Sequence, residues 1–158
     1  MSPWEALQVI QDGYAPKKSA SKGDHYGNWP KKETQWVQYD WAAPVRAKKV
    51  DVFWCGDGGG IAMPKASRVL YWDGKKFVPV SNPKGLGVAA DKFNTTTFDE
   101  VRRTKLRLVF DSDKKSTGIF EWKVYNASDE LPNFPPSVAA GVDRIVIHGR
   151  ETAFAGQL

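Results

Sequence analysis

The pattern of this sequence predicts an all-β fold, an antiparallel β-sandwich or barrel. Three observations carry that reading. Apolar residues recur at alternate positions over short runs, the period of a strand, while helical periodicity is nearly absent. Turn residues separate the runs, in a chain with 14 Gly and 10 Pro among its 158 residues. Within the clearest run one face is apolar and the other charged, the mark of an antiparallel sheet with one wet side.

The elements follow in chain order. Residues 3–11 are the best helical candidate, with Leu7 and Ile10 on one face and a stop at Asp12-Gly13. Residues 36–41 alternate, with Val37, Tyr39 and Trp41 on one face, and Ala43-Pro44 ends that run. Residues 50–54 form the next strand. Residues 68–72 and 75–80 flank Asp73-Gly74, a hairpin signal because such turns require positive φ. A looser stretch, 81–93, precedes strands at 95–98, 105–110 and 118–125. In the second of these, Leu106, Leu108 and Phe110 face one way and Lys105 and Arg107 the other. Seven or eight short strands joined by turns suggest a sandwich. Residues 132–136 are Pro-rich and read as a linker, and 143–149 look like a fresh strand. Only 22 residues follow Pro136, too few to bury a core of their own. The expected organisation is a module over 1–128. The segment 129–158 is then a linker with the start of a following β domain, or a tail packed back on the sandwich.

Composition excludes several function classes. With 41% hydrophobic and 26% charged residues, wholesale disorder is not expected. The single Cys55 excludes an intramolecular disulfide and a Cys-only metal site, and the two His, His25 and His148, lie too far apart for a zincin helix or a Cys/His finger. No apolar run reaches 18 residues, so no membrane-spanning helix is expected. The net charge of +5 reads as a solubilising surface rather than a nucleic-acid footprint. Residues 1–5 carry no leader pattern, so the chain is expected to be either cytoplasmic or a piece of a longer protein. For catalysis there is no Gly-x-Ser-x-Gly elbow, and Cys55 has no neighbouring His. Gly58-Gly59-Gly60 lacks the Lys-Ser/Thr of a phosphate loop, and spacing singles out no carboxylate pair. The chain is not expected to be an enzyme by itself.

Several segments, read together, carry a family resemblance. Asp12-Gly13-Tyr14-Ala15-Pro16, Asn28-Trp29-Pro30 and Gln35-Trp36-Val37-Gln38-Tyr39-Asp40-Trp41 resemble the opening of galactose-binding-like, discoidin-type β-sandwich modules. So do Val50-Asp51-Val52-Phe53-Trp54, Asp57-Gly58-Gly59-Gly60-Ile61, Pro64-Lys65, Arg68-Val69-Leu70-Tyr71 and Asp91-Lys92-Phe93-Asn94 in the middle. Thr104-Lys105-Leu106-Arg107-Leu108 and Gly118-Ile119-Phe120-Glu121-Trp122 continue it to the close. The resemblance covers about 5–128 and rests on the order and spacing of all the segments together, since none alone is specific. It implies a jelly-roll sandwich of the kind appended to bacterial polysaccharide-degrading glycoside hydrolases. Fold does not by itself fix a ligand.

Sugar recognition requires a flat aromatic face against sugar C–H groups and planar polar side chains around it, on loops held by a rigid scaffold. Seven Trp are more than a core of this size needs. The segment 54–65 fits best, because three consecutive Gly suit a sharp turn or close approach rather than a strand core. The resemblance agrees, since related modules place sugar contacts on the loop after this strand. Trp54, Asp57 and Lys65 are the candidates. The alternative is that Trp54 closes the sandwich end and Asp57 caps a turn. Tyr26, Trp29 and His25 sit in a polar, Gly-containing stretch where aromatics can be exposed, although Trp29 also suits a plug into the core. Asp113 belongs to a polar connection, 111–116, that either is a solvated hairpin loop or forms one wall of the site. Trp36, Trp41 and Trp122 read as core, and Trp72 is left open. The resemblance further implies a structural calcium between an early Asp-containing loop and a Glu on a late strand. Asp12, Asp24 and Glu121 are its candidate ligands, and a buried Glu121 needs some partner in any case.

The expected function is a non-catalytic carbohydrate-binding module of a multidomain glycoside hydrolase. Its partners would be a plant-type oligo- or polysaccharide and the catalytic domain of the same chain, with no nucleic acid and no membrane. As a module it is expected to be a monomer, secreted, periplasmic or at the cell surface in the full-length protein. The alternative is an accessory sandwich that packs on its catalytic domain and binds no sugar.

Overall fold

Alternation of apolar and polar residues becomes, in the computed structural model, an almost wholly antiparallel β architecture; residues 7–28, 32–128, 130–132 and 136–140 are described, and 144–147 as backbone. After a short 3₁₀ turn, Gln8–Gln11, come β1 (Tyr26–Gly27), β2 (Thr34–Cys55), β3 (Ile61–Ala62), β4 (Ala66–Trp72) and β5 (Phe77–Pro79). They are followed by β6 (Phe93–Asp111), β7 (Ser116–Asn126), β8 (Ser137–Ala140) and β9 (Arg144–Ile147).

The two long strands organise everything. The first half of β2 pairs with the second half of β6, from Thr34–Asp111 to Asp40–Lys105. After a register shift, the second half of β2 pairs with the first half of β6, from Val45–Arg103 to Phe53–Phe93. The strand pair bends there, and the hydrogen-bonded sheet folds over into two layers. The front layer runs β9-β8-β2-β6-β4-β5 and the back layer β1-β7-β2-β6. Sequence alternation suggested separate strands at 36–41 and 50–54, and again at 95–98 and 105–110. The structure joins each pair into one strand. Pro44 falls inside the register shift, where no ladder bond is asked of its missing N–H, so it bends β2 without ending it.

The core lies between the layers. Tyr39 of the front layer stacks on Trp122 of the back layer at 4.2 Å, and its hydroxyl lies 2.7 Å from the Trp122 carbonyl oxygen. Trp54 of the back layer meets Phe110 of the front edge-on at 5.8 Å. The predicted N-terminal helix is reduced to the 3₁₀ turn, whose Leu7 and Ile10 flank are both fully buried against this core; residues 3–6 of the prediction lie outside the described residues. The Asp73-Gly74 hairpin forms, with the Asp73 N–H donating to the Lys76 carbonyl and the Asp73 carboxylate accepting from both Lys75 and Lys76 N–H groups. Of its residues only Gly74 takes a positive φ, +109°. β8 pairs with Val37–Asp40 and β9 pairs with β8, so both lie on the front sheet rather than starting another.

Candidate functional site

Three connections meet at the end of the sandwich where β2 stops. The Gly-rich loop 56–60 is tied to the start of β7 by the Ser116 N–H donating to Gly60, and the Lys65 N–H donates to the Asp111 carbonyl at 2.9 Å. The Asp111 carboxylate accepts from Thr34 Oγ1 at 2.6 Å and from Arg68 at 2.8 Å, so it pins three strand ends together. These hydrogen bonds hold its carboxyl below the usual carboxylate range. Asp57, Lys65 and Asp113 are exposed on the three connections that converge here. Asp57 also accepts from the N–H groups of Gly59 and Ile61, so it shapes the loop it sits on. That is the turn-capping role, played by Oδ1 in both bonds.

Three sequence candidates do not join this surface. Trp54 is 0% exposed; its ring packs in the core, and its Nε1 donates inward to the Gly87 carbonyl at 3.0 Å. It therefore closes the sandwich end and presents no face to a ligand. Tyr26 is likewise buried, opposite Ile119 on β7. His25 lies over the back sheet, its ring edge-on to Phe120 at 5.6 Å and its Nδ1 2.9 Å from the Gly23 carbonyl. For Trp54 and Tyr26 the reason is strand phase. Trp54, Tyr26 and Ile119 fall on the inward side, where apolar area leaves water. Trp29 lies outside the described residues. Trp36, read as core from the sequence, is half-buried on the outer side of β2, one position out of phase with Val37, Tyr39 and Trp41.

A second locus joins the start of the chain to β7. Opposite the Phe53–Trp54 step, β7 carries an extra residue, because Phe53 pairs with Glu121 and Trp54 with Ile119. Such a bulge turns Phe120 and Glu121 to one side together. Glu121 is 3% exposed, accepts from the Gly13 N–H at 3.0 Å, and meets the Asp12 side chain. Burial pushes the Glu121 carboxyl up to about 8; the Gly13 N–H opposes this and the Asp12 charge adds to it. A buried carboxyl beside a second carboxylate under a backbone turn suits an oxygen-seeking cation, which takes carboxylates together with backbone carbonyls. Asp12 and Glu121, two of the expected ligands, lie side by side here. Asp24 is exposed, and no three His, Cys, Asp or Glu side chains come together among the described residues, so Asp24 does not complete the set.

Cys55 is buried, and burial with the nearby Asp57 charge pushes its thiol up to about 12. A thiol so placed stays protonated at neutral pH and is no nucleophile.

No family model matches the sequence. Solved structures do share its architecture. A chain of the Streptococcus pneumoniae β-galactosidase BgaA superposes with a TM-score of 0.63 at 19% identity, over 74% of this chain and 83% of that one. The Clostridium perfringens module CpGH89CBM32-6 superposes with a TM-score of 0.53 at 14% identity, over 76% of this chain and 84% of that one. A family 89 glycoside hydrolase from the same organism matches with a TM-score of 0.54 at 17% identity, over 80% of this chain and 13% of that one. At these identities the likeness is one of fold: the chain has the antiparallel β-sandwich found in modules that glycoside hydrolases carry.

Proposed function

We propose that this chain is a non-catalytic carbohydrate-binding module that holds a polysaccharide-degrading glycoside hydrolase at its plant-type substrate. The observation that carries the reading is the sandwich shared with glycoside hydrolase modules, on which exposed Asp57, Lys65 and Asp113 converge at one loop end. Polar side chains on loops braced by a rigid sheet are suited to sugar hydroxyls, and Lys65 and the carboxylates supply charge-assisted hydrogen bonds. Affinity need not be high. A Kd near 1 mM corresponds to roughly −4.1 kcal/mol, and tethering then concentrates the catalytic domain near its substrate. In the full-length protein such a module acts outside the cytoplasm, as a monomer beside its catalytic domain.

Asp12 and Glu121 would hold a structural calcium ion. When bound, the ion supplies the positive charge that the two carboxyls lack. It would anchor the turn at Asp12-Gly13 to β7.

The test is native electrophoresis through gels containing single plant polysaccharides, with and without chelator. Retardation in one glycan, lost in Lys65→Ala at unchanged thermal stability, supports the module. A folded chain retarded by none of them favours an accessory sandwich that packs on its own catalytic domain.

A further inference from the structure

The front sheet carries an aromatic stripe on its outer side. Gln38, Arg107 and Leu70 are paired neighbours across β2, β6 and β4, as are Trp36, Val109 and Arg68. Trp72 and Phe77 continue the same side across β4 and β5, their rings 5.1 Å apart. These positions alternate with the core residues Val37, Leu106, Leu108 and Val69, so they face away from the sandwich. Trp36, Leu70, Trp72 and Phe77 all keep part of their surface in solvent. An outward sheet face is ordinarily polar, and an apolar stripe there marks an interaction surface.

Arg107 defines the chemistry. Its guanidinium lies 3.7 Å from the Trp36 ring centroid and 3.6 Å from that of Phe77. Both its Nε and its Nη2 donate to the Gln38 side-chain oxygen, at 3.0 and 2.7 Å. Gln38 is in turn held through its Nε2 by Asp40, which pairs with Lys105. The guanidinium is therefore oriented by a neutral amide and two rings, while no carboxylate pairs with it among the described residues. The nearest carboxylate acting on it, Asp40, is shared with Lys105 and makes no direct pair with it, so a fixed, part-desolvated guanidinium remains able to take an anion through its remaining N–H edge. The exposed hairpin residues Lys75 and Lys76 add positive charge next to Trp72, against Asp73.

We propose that this face is a second binding surface, separate from the loop end, for an acidic polysaccharide: sugar rings lie on Trp36, Phe77 and Trp72, and a uronic carboxylate pairs with Arg107. Charge density favours this occupant over nucleic acid. Duplex DNA presents about one charge per 1.7 Å of axis and requires a dense row of uncancelled cations, whereas here Lys105 and Arg68 are already paired with Asp40 and Asp111. A ring-rich surface with one free guanidinium suits a polymer with sparse carboxylates and extended C–H faces.

The test is affinity electrophoresis and titration calorimetry of the full chain with polygalacturonate and with fully methyl-esterified pectin. The expected result is preference for the acidic form, weakened by salt. Trp72→Ala and Phe77→Ala should each reduce that binding, and Gln38→Glu, which supplies Arg107 with a local carboxylate, should weaken it about tenfold; because the new carboxylate would also face that of Asp40, the fold of this variant is checked by Tm alongside. Lys65→Ala should leave it unchanged, so failure here and failure of the loop-end site read out separately. The proposal is overturned by equal binding of both pectins, by Gln38→Glu binding like the parent, by tighter binding of an oligothymidylate through the same residues, or by a dimer that Trp72→Ala dissociates.

Discussion

The two outer faces of the sandwich are treated in opposite ways. On the back sheet Phe53, Cys55 and Phe120 point outward and are buried all the same, because residues 13–25 cross over them. Tyr14 and His25 meet the Phe120 ring edge-on at 6.0 and 5.6 Å, and Ala15 packs on the same cluster. A reciprocal pair clasps this segment: the Ser19 N–H donates to the Asp91 carboxylate at 2.6 Å, and the Asp91 N–H donates to Ser19 Oγ at 2.7 Å. On the front sheet Arg107 lies over Trp36 and Phe77, Phe77 meets Trp72, and all three rings stay partly in solvent. An outward aromatic is thus not a functional mark until one asks what covers it. Where the chain's own residues do, the ring is structural; where they do not, it is available.

That contrast breaks most sharply under truncation. Phe120→Ala removes a fully buried ring beneath the crossing segment, and should destabilise by about 3–5 kcal/mol, read as a large drop in Tm. A small drop would mean that the segment merely lies on the sheet.

Next in size is the anchor at Glu121. Its carboxyl titrates near 8 when folded, against 4.5 ordinarily, so between those values the folded chain holds a proton that the unfolded chain has released. Without divalent cation, Tm should therefore fall as pH rises from about 4.5 to 8. Calcium, by favouring the charged form, should raise Tm at pH 8 and flatten that slope, and Glu121→Gln should abolish both the slope and the calcium effect. A Tm indifferent to calcium at pH 8 would leave Glu121 a protonated core residue.

Ser19→Ala removes one half of the clasp and should cost about 1 kcal/mol, with hydrogen exchange rising in 13–25 and not in the front sheet. Trp72→Ala should change stability least, by under about 1 kcal/mol, since the ring is partly exposed on the outer face and packs on Phe77. A fall as large as that of Phe120→Ala would show that the front face is as covered as the back.

How much of this was legible in the residues differs from place to place. The Asp73-Gly74 hairpin and the inward set Leu106, Leu108 and Phe110 are local, and alternation alone predicts them. Trp36 was misread although the signal was present, since it is out of phase with Val37, Tyr39 and Trp41. Trp72 and Arg107 are out of phase with Val69 and Leu108 in the same way, and phase compared across strands would have brought all three to one face. Trp54 was mistaken for a ligand contact because the Gly-rich loop beside it suggested exposure, while its own alternation with Val52 placed it inward.

Period-two patterning by itself determined that this chain forms antiparallel strands with a shared inner face, because burying apolar side chains on one side is a local demand repeated along each run. Which outward residues are covered, which guanidinium keeps its charge, and that Glu121 meets Asp12 were decided by tertiary structure alone. A bulge in β7, the bend of β2 at Pro44 and the path of residues 13–25 bring together groups far apart in the chain, and no local pattern encodes the distance between them.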